Sequence, residues 1–559
     1  MAGLATTLGS GSMTNAIGEI AAMGPGDALC VIGSNTTECH PVMGLSMLEA
    51  KRRGALLVVI DPREIDLATR ADVWLRLTPG TDVTLLSAMA RVILDEGLAD
   101  EEFIIARTEG FEAFRQGLAG FAPEDAAGVC GVPAEAIRRA ARLLGRAVNA
   151  AFYYTMGVTQ HVTGTDNVLA VSNLALATGN LGRPKTGVNP LRGQNNVQGS
   201  CDMGALPNVL TGYRPVGDAA ARAAFEAAWG VRLPAEPGMT IPKMLDAAHH
   251  GALRAVYVFG ENPMRSDPDV AHVAHCLKTL DFLVVQDIFL TETAELADVV
   301  LPGASFAEKD GTFTNTERRV QRVRRAVAPV GDSRPDWAIL AELLARLGRP
   351  ERYADAEAVF DEMRRLTPSH AGMTYARLER GGLQWPCPDE SHPGTPILHV
   401  GRFARGLGRF VPLAARSRAE PPDDDYPLTL STGRVSPHYH TGAMTRRCFG
   451  LAGAAPEELA EVHPDDASRY GITDGGLMRL RTRRGEVAAR ARVTRRVPRG
   501  MVFMTFHFTE SPANALTTAE ADPVAGTPSF KACAVAIAGR EEEEKMPPAA
   551  GGLRPPDPP

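Results

Sequence analysis

Apolar positions in the first third of the chain fall into short unbroken runs, each ended by a polar turn and followed by a stretch of helical spacing. ALCVIGSN (28–35), GALLVVIDPRE (54–64) and ADVWLRL (71–77) predict buried strands, and AAFYYTMGVTQHVTG (150–164) predicts another. HPVMGLSMLEAKRRG (40–54), VTLLSAMARVILDEG (83–97) and PAEAIRRAARLLGRA (133–147) predict the intervening helices, and a further helix runs through NLALATGNLG (173–182). Strands and helices alternating at these lengths imply α/β architecture with a parallel, doubly wound sheet. Ligands of such sheets collect at the carboxyl ends of the strands, where Asn35 and Asp61 fall.

The same grammar returns further on. RAVYVFGENP and DFLVVQDIF predict strands around the helix VAHVAHCLKTL, and TETAELADVVLPG predicts a short helix and strand. FAEKDGTFTNTERRVQRV reads as a hairpin and PDWAILAELLARLG as an amphipathic helix. The turns Gly33-Ser34-Asn35 and Gly260-Glu261-Asn262 match, a duplication at motif level only. The polar stretch 416–427 predicts a linker, and strict alternation beyond it (YPLTLSTGR, GLMRLRTRRGEVAARARVTRRVP, GMVFMTFHF) predicts a small β-barrel. The expected division is a first α/β unit over 1–192, a second over 193–415, the linker, a barrel domain over 428–539 and a disordered tail over 540–559.

Composition narrows the function. A net charge of −7 argues against general binding to nucleic acid or a membrane surface, and no apolar run reaches the roughly 18 residues of a membrane span. Residues 1–50 carry no Lys or Arg, so no secretory leader is expected among them. The eight cysteines form no C-x-x-C pair, which predicts reduced structural thiols rather than zinc or cluster ligands.

The richest chemistry lies in PLRGQNNVQGSCDM (190–203), where Arg192 precedes the amides Gln194, Asn195, Asn196 and Gln198 between glycines. A loop dense in donors, with one guanidinium fork, suits an oxyanion; a solvated turn is the plain alternative. Asp61 and Asp287 stand at strand ends, as guanine-accepting carboxylates or as structural caps. His438 and His440 admit a metal reading, although H-Y-H spacing without further ligands is ordinarily polar surface.

Five ordered motifs carry a resemblance: GVTQ (157–160), ATGNLGRPKTGVNPLRGQNNVQGSCDMGALP (177–207), VQDIFLTETAELADVVLP (285–302), STGRVSPHYHTGAMTRR (431–447) and MTFHFTESPANALT (504–517). Together they resemble the molybdenum- or tungsten-dependent formate dehydrogenases of the dimethyl-sulfoxide-reductase superfamily. The resemblance implies two Rossmann-like units and a barrel around a bis-molybdopterin guanine dinucleotide holding Mo or W. It assigns cofactor contacts to Gly33, Asn35, Asp61, Gly157, Gln160, Gln194, Gly260, Asn262, Gln286, Asp287, Arg434, His438, Thr441, Asn514 and Lys531, and the orientation of formate to Arg192. No metal ligand is assigned to this chain.

In that family a cysteine or selenocysteine followed by histidine ligates the metal just before the stretch that opens here, after an iron–sulfur domain. The expectation is a C-terminal portion of the subunit, inactive alone, read from an internal start because of an in-frame UGA; a frameshift or a mis-chosen start is the rival. The upstream portion, formate, and iron–sulfur or flavin electron-transfer subunits are the expected partners, in the cytoplasm. A nitrate-reductase-like enzyme and a non-catalytic cofactor-binding or assembly scaffold are the alternative readings.

Overall fold

In the computed structural model, residues 1–349 and 353–538 are described; the tail placed at 540–559 lies outside the described residues. The first unit carries β1 (Asp27–Ile32), β2 (Leu56–Ile60), β3 (Val73–Leu75), β4 (Asn149–Tyr154) and β5 (Gly187–Pro190). All pair in parallel, in the order β3-β2-β1-β4-β5. Because β1 is covered on both faces, every one of its residues is buried. Ala28, Cys30 and Ile32 join Val58, Ile60, Phe152 and Tyr154 on the face covered by helices Asp82–Asp95, Ala134–Arg146 and Gly164–Ala177. Leu29, Val31, Leu57, Val59 and Tyr153 point the other way, toward Met43 and Met47 of helix Pro41–Arg52.

Strand β5 has no counterpart in the pattern-based reading. It is four residues long, opens on Gly187 at φ +112° and closes on Pro190, so it carries neither alternation nor β-branched enrichment beyond one valine.

The second unit contains β6 (Ala255–Phe259), β7 (Phe282–Asp287) and β8 (Val299–Pro302), parallel in the order β8-β7-β6. Here the duplication runs deeper than one turn. Gly33 N–H donates to the Ile60 carbonyl at 2.8 Å, and Gly260 N–H to the Gln286 carbonyl at 2.8 Å. Asp72 Oδ2 accepts from Leu57 N–H at 2.7 Å, and Asp298 Oδ2 from Leu283 N–H at 2.7 Å. Short 3-10 turns, Ala68–Arg70 and Ala294–Leu296, occupy matching places. The hairpin β9 (Gly311–Thr314) and β10 (Arg319–Val323) adds β11 (Leu383–Gln384) at its edge. Farther along, Gly408–Arg409 pairs with Thr108–Glu109, and Phe403 and Phe410 enter the core of the first unit.

The last segment closes into a barrel of β12 (Leu428–Gly433), β13 (Leu459–Val462), β14 (Leu477–Arg481), β15 (Glu486–Val493), β16 (Met501–Thr505) and β17 (Cys533–Ile537). Its order is β12-β16-β13-β15-β14-β17. Alternation places Met478, Leu480, Val487, Ala489 and Ala491 inside. The segment before it is seated on the barrel: Glu420 accepts from Arg483 and Arg484, each at 2.8 Å, and from Ala534 N–H at 3.2 Å. Among the described residues no helix is long and apolar enough to cross a membrane.

Candidate active site

Strand order reverses between β1 and β4, because the chain leaves β1 toward β2 on one side and returns in β4 on the other. The loops after those strands therefore part and open a crevice. Gly33 and Gly157 meet at its base. The Gly33 carbonyl accepts from Gly157 N–H at 3.2 Å and from Thr155 Oγ1 at 2.5 Å. Gly33 sits at φ +51°, and a Cβ on it would come within 2.7 Å of the Gly157 carbonyl carbon. A Cβ on Gly157 would run into the Gly33 carbonyl oxygen. Gly157→Ala is therefore expected to destabilise the chain by about 1–3 kcal/mol, the range for overpacking a closed contact. Urea denaturation of the two forms measures that difference.

Above this base lies a cleft walled by Asn35, Asp61 and Asp82 on the sheet side and by Arg434 and Lys531 on the barrel side. Its polar groups are mostly donors. Lys531 Nζ is anchored on the Thr432 carbonyl at 2.6 Å, and burial, then the nearby Arg434 charge, lowers its pKa to about 8. Burial also lowers that of Arg434, whose guanidinium lies 5.4 Å from the Phe506 ring. Arg434 Nε and Asn35 Nδ2 are buried without a partner among the described residues. Buried donors of this kind call for an acceptor-rich ligand, and a pyrophosphate supplies one.

Two carboxyls oppose these donors. Asp61 accepts from Arg63 N–H at 2.9 Å, and its burial raises its pKa to about 6; the buried Asp82 is raised to about 7. A carboxylate that accepts from the adjacent N–H donors of guanine must be ionised. A ligand that presents such paired N–H donors, with GMP as the probe, is therefore expected to bind at this carboxyl about tenfold more weakly per pH unit below about 6, and Asp61→Asn to flatten that slope. Calorimetric titration of the cofactor-stripped chain checks both.

Arg192 stands beside the cleft. Its Nε donates to Gln198 Oε1 at 3.0 Å and its Nη2 to the Gly11 carbonyl at 2.9 Å. Its N–H donates to Thr316 Oγ1 at 3.1 Å, and its carbonyl lies 2.5 Å from His40 Nε2. Nη1 makes no hydrogen bond to any described residue, which leaves one edge of the fork available. Behind it, Gln198 Nε2 donates to Asp202 Oδ1 at 2.8 Å and to Tyr213 Oη at 2.7 Å, and Trp385 Nε1 donates to Asp202 Oδ2 at 2.8 Å. Burial raises the Asp202 pKa to about 6 against these bonds. Gln198 and Asp202 lie four apart on helix Val197–Asp202, and that spacing was the available signal. The loop abuts the cleft at Gly193, where a Cβ would lie 3.4 Å from Met156 Cε and 3.5 Å from Arg434 Nη2. Gln194, half-buried, stands next on the same loop.

The other expected contacts divide. Gln160 offers its carbonyl to Phe530 N–H at 3.2 Å, beside Lys531. His438 uses both ring nitrogens internally, on Thr445 Oγ1 at 3.2 Å and the Ala455 carbonyl at 2.7 Å, and Thr441 is half-buried in the turn between them. Asn514 Nδ2 donates to the Arg265 carbonyl at 2.8 Å, tying barrel to second unit, while its Oδ1 is buried without a partner among the described residues. Gly260, Asn262, Gln286 and Asp287 gather at the carboxyl ends of β6 and β7, away from the first cleft. Asn262 bonds Glu292 at 2.8 Å and Thr293 at 2.7 Å, and Gln286 bonds Asp336 at 2.7 Å and Tyr257. Gly260 has φ +60°, and Asp287, held above the usual carboxylate range by burial, accepts from Ile288 N–H at 2.6 Å.

Two parallel α/β units, a donor-lined crevice and a closed barrel form the architecture that sequence comparison also recovers. The chain belongs to the molybdopterin oxidoreductases: the family described as "Molybdopterin oxidoreductase" matches residues 3–346, and "Molydopterin dinucleotide binding domain" matches 428–534, starting at the first residue of β12. It is thus an enzyme by family. Within the family it is 49% identical over 539 residues to the F420-dependent formate dehydrogenase subunit alpha of Methanocaldococcus jannaschii, covering 96% of this chain and 79% of that one. It is 41% identical over 544 residues to formate dehydrogenase H of Escherichia coli, covering 96% and 76%. Among solved structures, acetylene hydratase from Pelobacter acetylenicus shares the fold, with a TM-score of 0.76 at 19% identity over 96% of this chain and 80% of that one.

Proposed function

We propose that this chain forms the substrate and dinucleotide sites of a formate dehydrogenase, which converts formate to carbon dioxide, a proton and two electrons. The observation that carries the reading is the Arg192 fork, clamped by Gln198 and Gly11 with its Nη1 edge unengaged, on a loop that abuts the cleft. A planar carboxylate accepts two parallel N–H bonds from such an edge, which fixes where its C–H points. Names borne by relatives at 41–49% identity support the substrate class.

The residues present fit a bis-molybdopterin guanine dinucleotide with Mo or W. On the floor formed by the Gly33–Gly157 contact, Asn35 Nδ2 and Arg434 would donate to a pyrophosphate, Lys531 and Arg434 would neutralise it, and Asp61 would accept from guanine. In the second unit, backbone at Gly260 and the Asp287 carboxyl would serve the other dinucleotide. When bound, the metal centre supplies the acceptor for the two electrons. Arg192 holds and aims the carboxylate, and the Gln198–Asp202–Trp385 chain keeps the fork from turning.

Expression in a host that makes the cofactor, followed by acid release, should yield guanine nucleotide and Mo or W from the purified chain. Co-expression with the upstream portion expected from the sequence should give formate-dependent dye reduction. Absence of guanine nucleotide, or reduction of nitrate in place of oxidation of formate, overturns the reading.

A further inference from the structure

On the outside of the second unit two helices lie side by side, Ile241–His249, which precedes β6, and Val270–Lys278, which joins β6 to β7. Their contact is crowded with imidazoles. His272 and Cys276 are four residues apart on one helix, hence neighbours on one face, with Cys276 Sγ 3.4 Å from His272 Nε2. His249, at the end of the other helix, brings its ring centroid to 5.6 Å from that of His272 and 5.2 Å from that of His275. One donor atom from each of His249, His272 and Cys276 falls within 4.8 Å of the others.

A core thiol under surface histidines would also place a buried Cys276 here. Two features go beyond that. Leu245, packed against Val273 and Leu277, and the hydrogen bond from Thr279 Oγ1 to the Ala248 carbonyl hold the helices together, but apart from the Cys276 contact of His272 neither the His249 nor the His272 ring hydrogen-bonds to any described residue, so their ring nitrogens remain available as ligands. The donor set, two imidazoles and one thiol, is of the kind zinc selects. Tetrahedral bonds of about 2.0–2.3 Å set ligand atoms roughly 3.5 Å apart, so closure asks for a movement of only about 1 Å. His249 is exposed at its helix terminus and has the rotational freedom to make it.

We propose that His249, His272 and Cys276 form a zinc site that staples these two helices together, with water in the fourth position. Zinc coordination forms the metal–sulfur bond and releases the thiol proton to solvent. The site is separate from the crevice between β1 and β4 and takes no part in the proposed oxidation.

The test uses the full chain, freed of divalent ions by chelation and titrated with Co²⁺. One equivalent should produce a thiolate-to-cobalt charge-transfer band with intense tetrahedral d–d absorption, and Zn²⁺ should displace it. Cys276→Ser should abolish the charge-transfer band, while Cys448→Ser, which alters an exposed cysteine elsewhere, should leave it. His249→Gln changes an exposed side chain and should not disturb folding. It should weaken Zn²⁺ binding by at least the roughly 10–100-fold that loss of even an outer-shell partner costs. No charge-transfer band in the parent chain, a band that survives Cys276→Ser, or unchanged affinity in His249→Gln would each overturn the site.

Discussion

Arg192→Lys should lower kcat/KM for formate by about 100-fold or more while leaving bound guanine nucleotide unchanged, the scale of loss that a misplacement of about 1 Å produces. The charge survives the change; the plane does not. Two of the five guanidinium N–H groups are committed, Nε to Gln198 and Nη2 to the Gly11 carbonyl, and these bonds fix the orientation of the remaining edge. An ammonium on a flexible stem keeps one point of attraction and loses both the clamp and the paired contact with a carboxylate. Formate would then bind in several orientations, so kcat falls along with the rise in KM. Steady-state dye reduction by the assembled enzyme, normalised to released guanine nucleotide, measures the effect. A ratio near unity at equal cofactor content would remove Arg192 from substrate orientation.

The parts of this fold that were legible in the sequence are those in which one local pattern decides the outcome. β1, β2 and β4 are buried on both faces, so each reads as an unbroken apolar run whatever lies around it. β13 and β17 have no counterpart in the pattern-based reading: LAEV is four residues with a charge and becomes a strand by closing the barrel between partners distant in sequence, whereas CAVAI is an apolar run as long as β2 that the reading passes over. The site divides along the same line. That Asn35 and Asp61 line the cleft follows from strand-end position, while the role proposed for Arg192 rests on the composition of its loop. Whether a polar side chain remains available does not follow. Asn35 keeps an unpartnered Nδ2, yet its counterpart Asn262 is spent on Glu292 and Thr293, residues some thirty positions away that sequence spacing does not bring to mind. Asp82, one residue before the helix expected over 83–97, is that helix's first residue and becomes a cleft wall, which local spacing does not announce.

Glu461→Ala should cost about 3–5 kcal/mol, the range for breaking a buried ion pair and stranding one charge. Glu461 on β13 grips Arg63, just past β2, with Nε to Oε2 and Nη2 to Oε1 both at 2.7 Å. Only 6% of the arginine side chain and 3% of the glutamate side chain is exposed, so water cannot replace the lost partner. The arginine also lies 4.1 Å from the Phe503 ring, which keeps its guanidinium inside the barrel interface after the carboxylate has gone. Because Arg63 N–H donates to Asp61, a shifted Arg63 should also disturb the cleft, so loss of guanine nucleotide should accompany loss of stability. Removing both charges separates the two consequences. In Arg63→Met with Glu461→Leu no charge is stranded, and stability should return to near or above that of the parent. Urea denaturation of the parent, single and double forms reads the first effect, and guanine nucleotide release reads the second. If the single change costs less than about 1 kcal/mol, the level of a solvated surface pair, the barrel is held to the sheet by its apolar contacts instead.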